Sequence, residues 1–98
     1  MFYAQEPVYI IRRWADGWKE PAYLTKLADD HPVMFTHNPS SQVLIKIKDY
    51  YQAMLAMCVA FDHNRYDSWN RFEIVDMNTS RVVATLEWDL YPKPKYIN

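Results

Sequence analysis

The chain contains one glycine, Gly17, and it follows Asp16 directly after the segment 8–14 (VYIIRRW). That segment is β-branched and aromatic, which favours an extended strand. Asp-Gly supplies the positive φ angles of a tight hairpin turn, so the chain is expected to reverse there. Elsewhere it must turn on Pro, Asn and Asp. Pro21 delays the next strand to 22–26 (AYLTK), and His31-Pro32 breaks the chain before a third at 33–36 (VMFT). Three consecutive strands with short connections make a meander. A single glycine also excludes glycine-rich phosphate loops.

Asn38-Pro39 is a helix-start signal. Two readings compete for the segment 40–62. Val43, Ile47, Tyr50, Met54, Met57 and Phe61 recur at helical spacing, as one long helix would require. Alternatively, 43–48 (VLIKIK) is extended after one helical turn, and Asp49 caps a second helix with Gln52 closing a capping box. The broken version is preferred because Asp49 and Gln52 give it a definite start. Either helix ends near Asp62. The segment 64–70 reads as a polar loop carrying Tyr66 and Trp69. Beyond it lie two alternating segments, 71–76 (RFEIVD) and 81–88 (RVVATLEW), joined at Asn78-Thr79-Ser80.

The order is therefore β-β-β-α-β-β. It predicts a two-layer α+β domain, with an antiparallel five-stranded sheet and one main helix packed on one face. At 98 residues and 50% hydrophobic composition there is one domain. It is expected over 1–90. Residues 91–98, with Pro92 and Pro94, are expected as an extended tail anchored by Tyr91, Tyr96 and Ile97.

Alternation assigns the faces. Phe72 and Ile74, together with Val82, Ala84, Leu86 and Trp88, should face the helix, and Val8, Ile10 and Trp14 should align with them. Tyr9, Tyr23 and Arg13 would then lie on the outer face. Such a face is ordinarily half-solvated sheet, but it could also stack bases of a single-stranded nucleic acid. In the helix, Tyr50, Met54, Met57, Cys58 and Phe61 should cover the sheet, extended by Ala53 and Ala60. The segment 53–61 (AMLAMCVAF) has no polar residue, and Leu55 and Val59 fall on its far side. The tail, a second copy of the chain or a partner protein could cover them.

Charge and chemistry narrow the function. Eleven Lys and Arg face twelve Asp and Glu, a net charge of -1, which lacks the basic excess that phosphate contacts need. Nucleic acid is thus an unfavoured partner. The longest apolar run is far below the roughly 20 residues of a membrane-spanning helix, and no secretory signal is read at the start. A lone Cys58 excludes a disulfide framework and fits a reducing cytoplasm. His31, His37 and His63 stand in no metal-ligand spacing, and no Ser-His-Asp or cysteine-nucleophile arrangement emerges. No cofactor, metal or catalytic residue is expected. Tyr and Trp number eight and four, more amphipathic rings than a core requires. Tyr66, Trp69 and Arg71 combine the residue types of binding hot spots, and Trp18 and Lys19 occupy the tip of the first hairpin. These five residues form the expected partner surface. Leu55 and Val59 form a second candidate interface.

The run from Tyr9 to Ala53 resembles a pattern in small proteins of bacteriophages and prophages. It comprises Tyr9-Ile10-Ile11-Arg12-Arg13-Trp14, Tyr23-Leu24-Thr25, Val33-Met34-Phe35-Thr36, Asn38-Pro39, and a capped helix from Asp49 to Ala53. Several such proteins of similar size inhibit host defence, including anti-CRISPR proteins. The resemblance implies stoichiometric binding to a bacterial host protein in the host cytoplasm, without catalysis. Acids and bases are interspersed here, so it does not extend to DNA mimicry.

Overall fold

The structure, a computed structural model, describes residues 6–28, 31–40, 42–64 and 69–89. Its elements are β1 (Tyr9–Ala15), β2 (Ala22–Ala28), β3 (His31–Thr36), α1 (Tyr50–Asn64), β4 (Trp69–Asp76) and β5 (Arg81–Asp89). The strands form one antiparallel sheet in the order β3-β2-β1-β4-β5, with α1 on one face. This is the expected α+β architecture. The tail at 91–98 lies outside the described residues, as does Tyr66.

The first reversal is not the tight two-residue hairpin expected of Asp16-Gly17, because β1 ends at Ala15, β2 begins at Ala22 and their innermost pair is Arg13–Ala22. The Trp18 N–H donates to the Ala15 carbonyl at 3.1 Å, and Gly17 has φ +79° while Asp16 stays in ordinary space. One positive φ at the third turn position is the type II pattern, so only the glycine is special there. Ser80 closes the β4–β5 turn at φ 59°.

The broken reading of the middle segment holds. Asp49 caps α1, its carboxylate accepting the N–H groups of Tyr51 and Gln52 at 3.4 and 3.3 Å. In place of an earlier helical turn, Pro39-Ser40 and Gln42-Val43 form turns, and Asn38 Oδ1 accepts the Ser40 N–H. The stretch 44–48 forms no strand; Ile45 and Ile47 bond to the sheet and Lys48 lies in a bend. Tyr9 and Ile47 exchange backbone bonds of 2.7 and 2.9 Å, and the Ile45 N–H donates to Leu24. This wedge occupies the space beside β1, which meets β2 only at Arg12–Tyr23 and Arg13–Ala22. Irregularities at Leu24, Lys26 and Ala28 accompany the divergence of β2.

The core joins Ile11, Leu24, Phe72 and Ile74 of the sheet to Ala53, Ala56, Met57 and Ala60 of α1. These helix positions follow the i, i+3, i+4, i+7 pattern, and three are alanines. The seam therefore differs from the expected one. Tyr50 and Cys58 are exposed, Met54 and Phe61 are half-buried, and three of the four buried helix residues are alanines. Large side chains at the seam would hold the helix off the sheet.

The face assignment in β1 is also corrected. Ile11 pairs with Ile74 and Arg13 with Phe72, so Tyr9, Ile11 and Arg13 share the helix side. Ile10, Arg12 and Trp14 turn to the other face. Both sets contain one isoleucine, so alternation could not choose between them; pairing with β4 does. In β5, Ala84 and Leu86 pack against the core as expected, and Trp88 meets Phe61 edge-on at 6.1 Å. A bulge opposite Val75 sets Val82 across from that residue, off the helix-side register.

Candidate functional site

The helix-free face carries two clusters of the same composition. In the first, Glu73 Oε1 accepts the Arg12 Nε–H at 2.6 Å and the Trp14 indole N–H at 2.7 Å. Arg12 lies 6.0 Å from the Trp14 ring centre. In the second, Glu87 Oε1 accepts the Trp69 indole N–H at 2.6 Å, and Arg71 Nε lies 3.9 Å from Glu87 Oε2. The Arg71 guanidinium sits 5.4 Å over the Trp69 ring. Strand periodicity creates both arrangements: Trp69, Arg71 and Glu73 alternate along β4, and Arg12 and Trp14 along β1. Register joins them, because Trp14 pairs with Arg71 and Arg71 with Glu87. Tyr23 extends the surface across β2 by pairing with Arg12.

The two clusters differ in burial. The Glu73 side chain is 8% exposed and Arg12 24%, against 49% for Glu87 and 41% for Arg71. The first cluster is thus largely a buried support. The second is the accessible end, with an oriented indole and a stacked guanidinium. Both arginines stand beside carboxylates, so the face is close to neutral.

Of the expected surface, Trp69 and Arg71 come together, with Trp69 at the start of β4 and not in the loop expected over 64–70. Trp69 is half-buried and hydrogen-bonded, so it contributes to folding as well as offering a ring. Trp18 goes elsewhere. Its ring meets His37 edge-on at 4.8 Å and lies 5.1 Å from the Arg13 guanidinium. Arg13 also approaches Phe35 and Phe72 at 5.8 Å, which ties Trp18 to the end of the helix-side layer. Lys19 is exposed beside it. Leu55 and Val59 are 48% and 40% exposed, as their far-side position predicts.

Sequence reasoning missed Arg12, Trp14, Glu73 and Glu87 as members of the site. The spacing of Trp69, Arg71 and Glu73 was a readable signal; the cross-strand partners were not, because they depend on register. The outer-face stacking platform of Tyr9, Tyr23 and Arg13 is not assembled. Arg13 is buried instead, donating from Nε to Asn70 Oδ1 at 2.9 Å and from Nη1 to Asn64 Oδ1 at 3.3 Å. Burial pushes its guanidinium below the ordinary arginine value. Asn70 Nδ2 donates to the Asn64 carbonyl at 3.0 Å, so this network holds the end of α1 against the start of β4.

Cys58, expected in the core, is exposed. Among the described residues no group of three His, Cys, Asp or Glu is placed to hold a metal ion, and no helix is long and apolar enough to cross a membrane. Comparison with protein-family models, curated proteins and solved structures finds no match. The functional reading rests on the chemistry of these faces.

Proposed function

We propose that the chain is a small non-enzymatic protein-binding module whose partner surface centres on Trp69 and Arg71. One observation carries this reading: Arg71 stacks on Trp69, whose indole N–H is held by Glu87, and the guanidinium stands 3.9 Å from the same carboxylate. Trp and Arg dominate binding hot spots, and side chains already fixed lose less entropy on association. Tyr23 and Trp14 supply further rings on the same face. The finer reading, a phage-encoded stoichiometric inhibitor of a bacterial host protein such as a defence component, draws its support from the sequence resemblance.

The alternative, a single-strand nucleic-acid binder, is less favoured by this geometry. Aromatic rings are present, but Glu73 and Glu87 stand against the two arginines that would meet phosphates. Affinity capture from bacterial lysate, with quantitative mass spectrometry, tests the proposal. Wild type should enrich a protein at stoichiometric yield. Trp69→Ala should weaken capture by roughly 30-fold, as loss of a hot-spot ring does, while costing only about 1 kcal/mol of folding stability. Capture undiminished by both Trp69→Ala and Arg71→Ala would remove this surface.

A further inference from the structure

Register sets three rings of the helix-free face on one line. Tyr23 pairs with Arg12, and Trp14 lies two residues further along β1. Trp14 pairs with Arg71, and Trp69 lies two residues back along β4. Because β4 runs antiparallel to β1, both steps advance in the same direction. Tyr23, Trp14 and Trp69 therefore form a diagonal across β2, β1 and β4. Each step combines one strand spacing with two residues of rise, about 8 Å. All three side chains are half-buried, so each leaves part of its ring to solvent. At the Tyr23 end lies a cavity of about 280 Å³, lined by Glu20, Pro21, Tyr23, His37 and Pro39.

The polar groups select the occupant. Both indole N–H groups are committed to Glu73 and Glu87, so the tryptophans offer ring surface and no donor. The same carboxylates offset Arg12 and Arg71, so charge complementarity favours an uncharged ligand. Arg71 does keep donors. It stands 3.9 Å from Glu87, its Nε has no hydrogen-bond partner, and the side chain is 41% exposed. The complement is thus neutral, rich in carbonyl acceptors, and apolar at the spacing of the rings. A polyproline II segment meets all three conditions. Its carbonyls have no internal partners, and every third residue returns to the same side, about 9 Å on. We infer that this face docks an uncharged, proline-rich polyproline II segment of the partner, with prolines on Tyr23, Trp14 and Trp69 and a carbonyl accepting from Arg71. The inference rests on the partner surface proposed above and names what that surface reads. A helix sets neighbouring side chains only about 5–6 Å apart, and an extended strand pairs at a sheet edge, not on a face. Residues 91–98 carry Pro92 and Pro94 two apart, which fall on different sides of a polyproline II helix.

The probe is fluorescein-labelled decaproline. Its D-proline counterpart is the control, identical in composition but wound with the opposite hand. Fluorescence anisotropy should give saturable binding of the L-peptide, at least about tenfold tighter than that of the D-peptide. The affinity should change by less than about twofold between about 50 and 500 mM salt, because no ion pair forms. Tyr23→Ala and Arg71→Ala should each weaken binding by about tenfold. Leu55→Glu, on the far side of α1, should leave it unchanged. Circular dichroism should show these variants folded, and tryptophan emission of the wild-type chain should shift on titration. Absence of binding, equal affinity for the D-peptide, or indifference to both Tyr23→Ala and Arg71→Ala would overturn the inference. So would a synthetic 91–98 peptide that displaces the probe at lower concentration than unlabelled decaproline, since the chain's own segment would then be the occupant. Lysate capture that depends on Trp69 while decaproline fails to bind would overturn this inference and leave the partner surface standing.

Discussion

Glu73 and Glu87 both accept an indole N–H, but only Glu73 also accepts a guanidinium N–H, since Arg71 Nε stays 3.9 Å from Glu87, and their burial differs as well. Around Glu73 water is largely excluded, so removing the carboxylate strands the Arg12 and Trp14 donors. An unsatisfied buried donor costs more than its hydrogen bond contributed. Glu73→Ala should therefore lower folding stability by about 2–3 kcal/mol in urea denaturation. Glu87→Ala, at a half-exposed pair, should lower it by about 1 kcal/mol or less. Equal losses would mean that burial does not distinguish the clusters. The contrast also bears on function: a surface residue that is inexpensive to the fold is free to serve a partner. Arg13 makes the opposite choice, since its fork to Asn70 and Asn64 and its contact with three rings place it in the structural framework.

Among the elements, α1 shows how side-chain size sets a layer spacing. Ala53 and Ala60 are fully buried against the sheet, while Cys58, one position beyond Met57, is exposed. Ala60→Leu should force the helix away or strain a rotamer, costing about 1–3 kcal/mol. Cys58→Leu, on the outside, should change stability by no more than about 0.5 kcal/mol. Chemical denaturation of the two variants checks the seam, and a tolerated Ala60→Leu would argue for a looser layer than the one described. The edge strand β5 is blunted. It is exposed along most of its length but ends in Glu87 and Asp89 and carries a bulge at Val82–Val83, which discourages pairing with another sheet.

At the scale of the molecule, the sheet face presents Trp69 and Arg71, the surface proposed for a partner, and Leu55 and Val59 lie exposed on the far side of α1. The net charge of -1 leaves no long-range attraction for a polyanion. Labelled single-stranded DNA or RNA at low salt should therefore give no micromolar anisotropy isotherm. A tight isotherm with a steep salt dependence would shift the functional reading to nucleic acid.

Local patterns in the chain determined the elements. Asp16-Gly17, Pro21 and Asn78-Thr79-Ser80 marked the turns, Asp49 marked the start of α1, and period-two alternation marked the strands, because these signals act through neighbouring residues. The far side of the helix, Leu55 and Val59, was legible for the same reason. Tertiary structure decided which half of β1 meets the core. Two alternating sets of similar hydrophobicity are degenerate until a neighbouring strand fixes the register, and the pairing of Ile11 with Ile74 broke that tie. It carried Arg13 inward and Arg12 and Trp14 outward to Glu73. The candidate site divides along the same line. Trp69 and Arg71 share a strand and could be read together, whereas Glu87 reaches them only across a ladder, which sequence spacing does not encode.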